Sequence, residues 1–232
     1  MSRHPFQKKL ILALTVFAMI GMVTMVFSAG LRSITPENRP QEKPQSKMND
    51  LEHLKPQDRI SLPEPVTDGS ISLEKALSLR RSVRNYADSP MEVKEVSQLL
   101  WSGQGITAQG RLRTAPSAGA THPLTLFLMV NNVEGLPQGL YRYQPEDHVL
   151  VVERLENIST ALAEACLGQR MITSGAIVII FAADFERTTR RYGTRGERYV
   201  YNEVGHASQN IHLQAATLNL GTVVVGAFRD EE

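Results

Sequence analysis

The chain has 232 residues, with 25 Lys plus Arg against 24 Asp plus Glu, a net charge of +1, and 42% hydrophobic residues. The near-neutral balance excludes a polycationic nucleic-acid binder, and the apolar content excludes wholesale disorder. The single cysteine, Cys166, excludes an intrachain disulfide and a zinc cluster built on cysteines.

Arg3, Lys8 and Lys9 precede an uncharged stretch from Leu10 to Gly30. As a helix this stretch spans roughly 30 Å, the thickness of a bilayer core. The cations before it predict a signal anchor over residues 1–30, with the N-terminus in the cytoplasm and the rest outside. Export after signal cleavage is the alternative, although Phe27 then stands where a cut after Ala29 wants a small residue. Residues 31–70 read as a tether. Six of the 12 prolines fall there, and the scattered apolar residues bury too little surface to offset ordering entropy. Within it, Ile60 to Val66 reads as an extended arm.

Residues 71–232 form the expected folded domain. Ser72 predicts an N-cap, with Glu74 in the first turn of a helix through Leu79. Pro90 opens a second helix from about Glu92 to Trp101, ended by Gly103 and Gly105. Leu124 to Val130 predicts a buried strand. Gly139 to Tyr143 and Val149 to Glu153 predict shorter strands around a turn. Ile158 to Leu167 predicts a helix, and the β-branched run Ala176 to Ala183 a central strand. Arg198 to Leu220 predicts the longest helix, ended by Gly221, and Thr222 to Ala227 a last strand. The class is α+β.

Two segments carry chemistry. Arg80-Arg81-Ser82-Val83-Arg84 ends the first helix. In an extended chain Arg80, Ser82 and Arg84 project together, and two planar guanidinium forks with a hydroxyl suit a phosphate. A solvated basic helix end explains the same residues without a ligand. The second segment runs from Thr114 to Pro123. Its small residues let backbone approach a flat ligand, and Ser117 offers a hydroxyl. A tight structural turn into the Leu124 strand is the plainer alternative. Tyr192, Arg195 and Tyr199 are candidates for a substrate-pocket border, and His122 for a proton donor. Glu203-x-x-His206 has the spacing of half a di-iron site, but no second half is identifiable, so no metal is expected.

These segments occur in order with Gln98-Leu99-Leu100-Trp101, Gly103-Gln104-Gly105-Ile106, Gly139-Leu140-Tyr141-Arg142-Tyr143, Phe185-Glu186-Arg187-Thr188, Glu203-x-Gly205-His206, Gln209-Asn210 and Gly226-Ala227-Phe228. Together they resemble the nitroreductase-like flavoproteins, most closely the SagB-type dehydrogenases. The resemblance covers about residues 71–230. It implies a central mixed β-sheet flanked by helices, here behind an N-terminal hydrophobic helix. It also implies FMN as cofactor and a homodimer with flavin at the subunit interface. Arg80 would contact the phosphate and Ser82 the ribityl–phosphate region, with Arg81 contributing mainly backbone. Arg84 would lie near flavin N1 and O2, where a fixed cation stabilises the negative charge that hydride arrival brings. Pro116, Ser117, Ala118 and Gly119 would line the ring, and Gly226 and Ala227 would present backbone beside it.

The implied activity is FMN-dependent hydride transfer through flavin N5 on a small-molecule or peptide-derived substrate. A membrane-tethered flavin-binding module without turnover and an NAD(P)H-dependent nitro or quinone reductase are the alternatives. Family chains continue past the Gly-Ala-Phe strand into a further helix and an extended segment. This sequence stops at Glu232, so the C-terminal part of the domain is expected to be missing.

Overall fold

The computed structural model describes residues 23–29, 53–108 and 112–229, the first of these as backbone only. In chain order the elements are β1 (Val23–Ala29), β2 (Arg59–Ser61), α1 (Leu73–Leu79), β3 (Met91–Glu92), α2 (Val93–Gln104), β4 (Ile106–Ala108), β5 (Leu112–Arg113), β6 (Leu124–Val130), β7 (Val133–Glu134), β8 (Gly139–Gln144), β9 (Val149–Arg154), α3 (Ser159–Ala165), α4 (Met171–Ser174), β10 (Ile177–Ala183), α5 (Phe185–Tyr192), α6 (Arg195–Thr217) and β11 (Leu220–Val225).

The main sheet has seven strands in the order β11-β1-β10-β6-β8-β9-β2. All its pairings are antiparallel, which corrects the expected mixed sheet. The turn between β8 and β9 is too short for the crossover that parallel neighbours need. Among the described residues, parallel pairing is confined to β3 with β7 and an isolated Ser82–Thr222 bridge.

Alternation along the strands divides the core between the two faces. Ile177, Ile179 and Phe181 of β10 pack with Val96, Leu99 and Leu100 of α2 and with Val204, Ala207 and Ile211 of α6. Val178 and Ile180 of the same strand pack on the other face with Leu162, Cys166 and Ile172. Helices therefore flank the sheet on both sides.

Val23–Ala29 corrects the expected hydrophobic helix. It is a strand between β10 and β11, and the same residues cannot also cross a membrane as a helix. Among the described residues no helix is long and apolar enough to cross a membrane. Residues 1–22 and 30–52, with most of the anchor and tether readings, lie outside the described residues.

The arm is held by specific bonds. Arg59–Ser61 pairs with Val149–Val151 of β9. The Gln98 side chain accepts from the Val66 N–H at 2.8 Å and donates to the Val66 carbonyl at 2.9 Å. Ser72 caps α1 by accepting from the Lys75 N–H at 3.2 Å. The long helix α6 starts earlier than the sequence predicts and stops at Thr217. Asn219 takes the left-handed turn, at φ 58°, that the sequence reading gave to Gly221. Gly221 serves a close approach instead, since a Cβ there would meet Val83 Cγ1 at 3.0 Å.

Candidate functional site

The end of α1 becomes extended at Arg80, whose ψ is 123°. Val83 then donates its N–H to the Thr222 carbonyl at 2.9 Å, beside the Ser82–Thr222 bridge. The cationic segment is thereby fixed against β11. Arg80 is half-buried, and Arg81, Ser82 and Arg84 are exposed. The Arg81 guanidinium donates to the Ser78 carbonyl at 3.1 Å and the Arg80 carbonyl at 2.8 Å, which satisfies the C-terminal end of α1.

A cavity of about 660 Å³ opens beside this segment, lined by Arg80, Arg81, Val83 and Asn85 and, from α6 and β11, by His212 and Thr222. Ser82 and Arg84 do not line it. Arg81, Val83 and Asn85 alternate onto the cavity side of the extended chain, which leaves Ser82 and Arg84 on the other, while Arg80 borders the cavity from the C-terminal end of α1, before the alternation begins. The three expected ligand residues therefore divide: Arg80 borders the cavity, while Ser82 and Arg84 face away from it.

The loop from Ala115 to Pro123 is clamped to α5 and α6. Arg191 donates to the Gly119 carbonyl at 3.1 Å, the Thr121 and Thr188 hydroxyls lie 2.8 Å apart, and Asn210 donates to the Thr114 carbonyl at 3.0 Å. Gly119, Ala120 and His122 all have left-handed φ, at 60°, 53° and 45°. Ala and His rarely adopt that region, so the loop stores strain that its clamps must hold. Ser117 Oγ accepts from the His122 N–H at 2.9 Å, so part of its hydrogen-bonding capacity is turned inward. Tyr192 stacks edge-on with Tyr199 at 5.1 Å. A Cβ on Gly119 would sit 2.5 Å from the Tyr192 hydroxyl, which places two of the expected pocket-border residues at this loop.

Beneath the loop lies a buried polar cluster around Glu203, a residue the sequence reading weighed only as half of a metal site. Glu203 of α6 is 2% exposed. Burial raises its pKa, while Ser117, Arg113, Arg187 and Gln104 pull it down. Arg113 donates to Gln104 Oε1 at 2.8 Å and to Glu146 at 3.1 Å. Its own pKa is lowered, first by burial. Glu203 Oε1, Arg113 Nε and Gln104 Nε2 have no hydrogen-bond partner. Gln104 and Glu203 lie in motifs the sequence offers, but Arg113 lies in none and reaches Gln104 only through the β4–β5 hairpin, so no spacing announced the cluster.

Gly226 and Ala227 follow β11 and are exposed. A Cβ on Gly226 would meet nothing within 4 Å. The Ala227 carbonyl accepts from Gln169 at 3.0 Å, which fixes the backbone there. The two sequence-derived segments meet α6 at different stations. The Ser117 loop sits over Glu203 and the Arg80 cavity over His212, about 13 Å apart along a helix axis.

The profile of the nitroreductase family matches residues 77–232. The chain is 49% identical over 162 residues to MJ1384 of Methanocaldococcus jannaschii, a protein described as a nitroreductase, covering 70% of this chain and 82% of that one. It is 26% identical over 221 residues to the trifolitoxin operon protein TfxC of Rhizobium leguminosarum bv. trifolii, covering 88% of this chain and 60% of that one. A crystal structure from Ralstonia eutropha JMP134, also described as a nitroreductase, superposes with a TM-score of 0.61 at 25% identity, covering 84% of this chain and 82% of that one. A central antiparallel sheet between helices, with a cationic segment pinned to its last strand, agrees with a profile match over most of the described domain: the chain belongs to the nitroreductase family.

Proposed function

We propose that the chain is an FMN-dependent oxidoreductase of the SagB type, working as a homodimer on a small-molecule or peptide-derived substrate. Nitroreductase family members are typically FMN-dependent oxidoreductases. The observation that carries the reading is the Val83–Thr222 bond, which fixes the cationic segment beside the strand that leads to Gly226.

The residues present fit a flavin mononucleotide. Arg80 adjoins two buried polar atoms without partners, His212 Nε2 and Thr222 Oγ1, which suit an oxyanion. The open space over Gly226 suits the approach of a flat ring to bare backbone. When bound, FMN supplies two-electron hydride chemistry. Arg80 binds and orients. Arg84, exposed and free to face a partner or ligand, supplies a fixed positive charge where negative charge develops. The clamped loop at Pro116, Ser117, Ala118 and Gly119 covers the ring and excludes water.

Two observations support the homodimer. The loop and the cationic segment stand apart along α6, so a second copy can bring its loop to this chain's Arg84. Leu73 and Leu77, one turn apart on α1, are 61% and 52% exposed, an apolar stripe of the kind that marks an interface. The likeness to TfxC supports the SagB branch. The likeness to MJ1384 favours a second reading, an NAD(P)H-dependent nitro or quinone reductase.

The test is the visible spectrum of the purified full chain, with and without added FMN, followed by anaerobic NADPH. A protein-bound flavin that NADPH leaves oxidised supports the SagB-type reading. Rapid bleaching selects the reductase. A folded chain that does not perturb added FMN overturns both.

A further inference from the structure

Glu203 is 2% exposed, and none of the chemistry proposed above uses it. Taking a carboxyl group out of water is costly unless partners compensate it. Arg113 faces it from β5 and Arg187 from α5, with Gln104 of α2 and Ser117 of the loop beside it. Glu146 also pairs with Arg113, at 3.1 Å. Arginine keeps its proton in proteins, so both guanidiniums are fixed positive charges. They favour the carboxylate, against burial, which favours the acid.

The loop is tied to the same stretch of α6. Asn210 stands about two turns after Glu203 and donates to the Thr114 carbonyl at 3.0 Å. Thr114 in turn donates its hydroxyl proton to the Trp101 carbonyl at 3.0 Å. These bonds hold the entry to the loop. Its exit is held by Ser117 Oγ, which accepts from the His122 N–H at 2.9 Å. Between Ser117 and His122 lie the left-handed Gly119 and Ala120, so the strained part of the loop is closed by one serine hydroxyl.

A serine hydroxyl has one proton and two lone pairs. The His122 N–H takes one lone pair. Ser117 also hydrogen-bonds the Glu203 carboxyl group and favours its ionised form. A carboxylate only accepts, so the Ser117 proton points to Glu203. We propose that Glu203 is a positioning residue: its carboxylate turns the Ser117 hydroxyl proton inward and so holds the loop in the shape that meets a ligand. The remaining lone pair is what Ser117 offers that ligand. Flavin as the ligand rests on the function proposed above, whereas the link between Glu203 and Ser117 does not.

The experiment raises pH through the carboxylate range and follows the backbone amide resonances of the ¹⁵N-labelled full chain without flavin. The His122 amide is expected to shift with a midpoint above 4.5, as Glu203 ionises and draws the hydroxyl proton. Glu203→Gln and Ser117→Ala should each abolish that step, and Ser117→Thr, which keeps the hydroxyl, should retain it. Ser117→Ala carries the test alone where Glu203→Gln does not fold. A step that survives in Glu203→Gln belongs to the His122 imidazole and overturns the proposal, as does a wild type with no step. FMN affinity is then measured in wild type, Glu203→Gln, Ser117→Ala and the double variant. Each single loss is expected to be about tenfold, or 1.4 kcal/mol, and the double loss no greater than the larger single one. Losses that add in full overturn the positioning role. The amide step in a chain that binds no flavin keeps the link between Glu203 and Ser117 and overturns the function proposed above. Flavin binding without the amide step overturns the link and leaves that function intact.

Discussion

Val83 and Thr222 share a backbone hydrogen bond of 2.9 Å, the link that turns a basic helix end into a fixed arrangement beside β11. Proline at 83 removes the donor, whereas alanine keeps it. Val83→Pro should cost about 1–3 kcal/mol of stability and weaken FMN by roughly tenfold or more. Val83→Ala should bind nearly as wild type. Urea midpoints and flavin titrations check this, and equal affinity in the two variants would remove the bond from the account of the site.

Glu203 offers a pH signature. Its folded pKa lies above 4.5, chiefly through burial. The folded protein therefore holds this proton more tightly than the unfolded chain. The resulting stabilisation is complete below 4.5 and is lost as pH rises through the folded value. Glu203→Gln has no such titration. Its stability relative to wild type should rise across that window and then level off. Denaturation midpoints at a series of pH values check this, and a difference that stays constant across the window would refute it.

Gly205 lies in the middle of α6, exposed, and a Cβ there would meet nothing within 4 Å. Glycine at such a position costs about 1 kcal/mol relative to alanine. Nothing among the described residues explains it, and the close approach of a second copy or a ligand is the role a bare backbone here would serve. Gly205→Ala should raise the unfolding midpoint of the flavin-free chain and lower FMN affinity or dimer association. A variant improved in all three would show that the glycine has no binding role.

Much of the fold was legible because its strands are long and unambiguous. Leu124–Val130 and Ile177–Ala183 declare themselves by β-branched and apolar content alone, and Ser72 declares the start of α1 by its capping chemistry. Other elements were hidden for physical reasons. The helix Phe185–Tyr192 buries only Thr188 and is held by the Asp184 cap and a Glu186–Arg190 pair, so it has almost no apolar period to read. Val23–Ala29 sits in an apolar run that satisfies helix and strand equally by composition, and only its neighbours β10 and β11 decide between them. The end of α6 was assigned to the glycine at 221 because glycine is the commoner left-handed residue, yet Asn219 can fill that role. At the site, the segments were legible as motifs. Their separation along α6 and the two orphaned groups at His212 and Thr222 arise from tertiary packing, to which no sequence spacing corresponds.

The shared-site reading makes a prediction that a single-chain site cannot. Arg84→Glu reverses the charge expected beside the ring. Gly119→Val forces a side chain into left-handed backbone at φ 60°, against the Tyr192 hydroxyl and the Arg191 guanidinium. Each variant alone should fold, as circular dichroism can verify, and should bind little FMN. If the loop of one subunit covers the cationic segment of the other, a mixed dimer has one site with both lesions and one with neither. Random mixing makes half the dimers mixed, so FMN capacity should recover to about a quarter of wild type. If both segments act within one chain, every site in the mixed dimer carries one lesion. Capacity then stays at the level of the single variants, and that result would remove the second copy from the site.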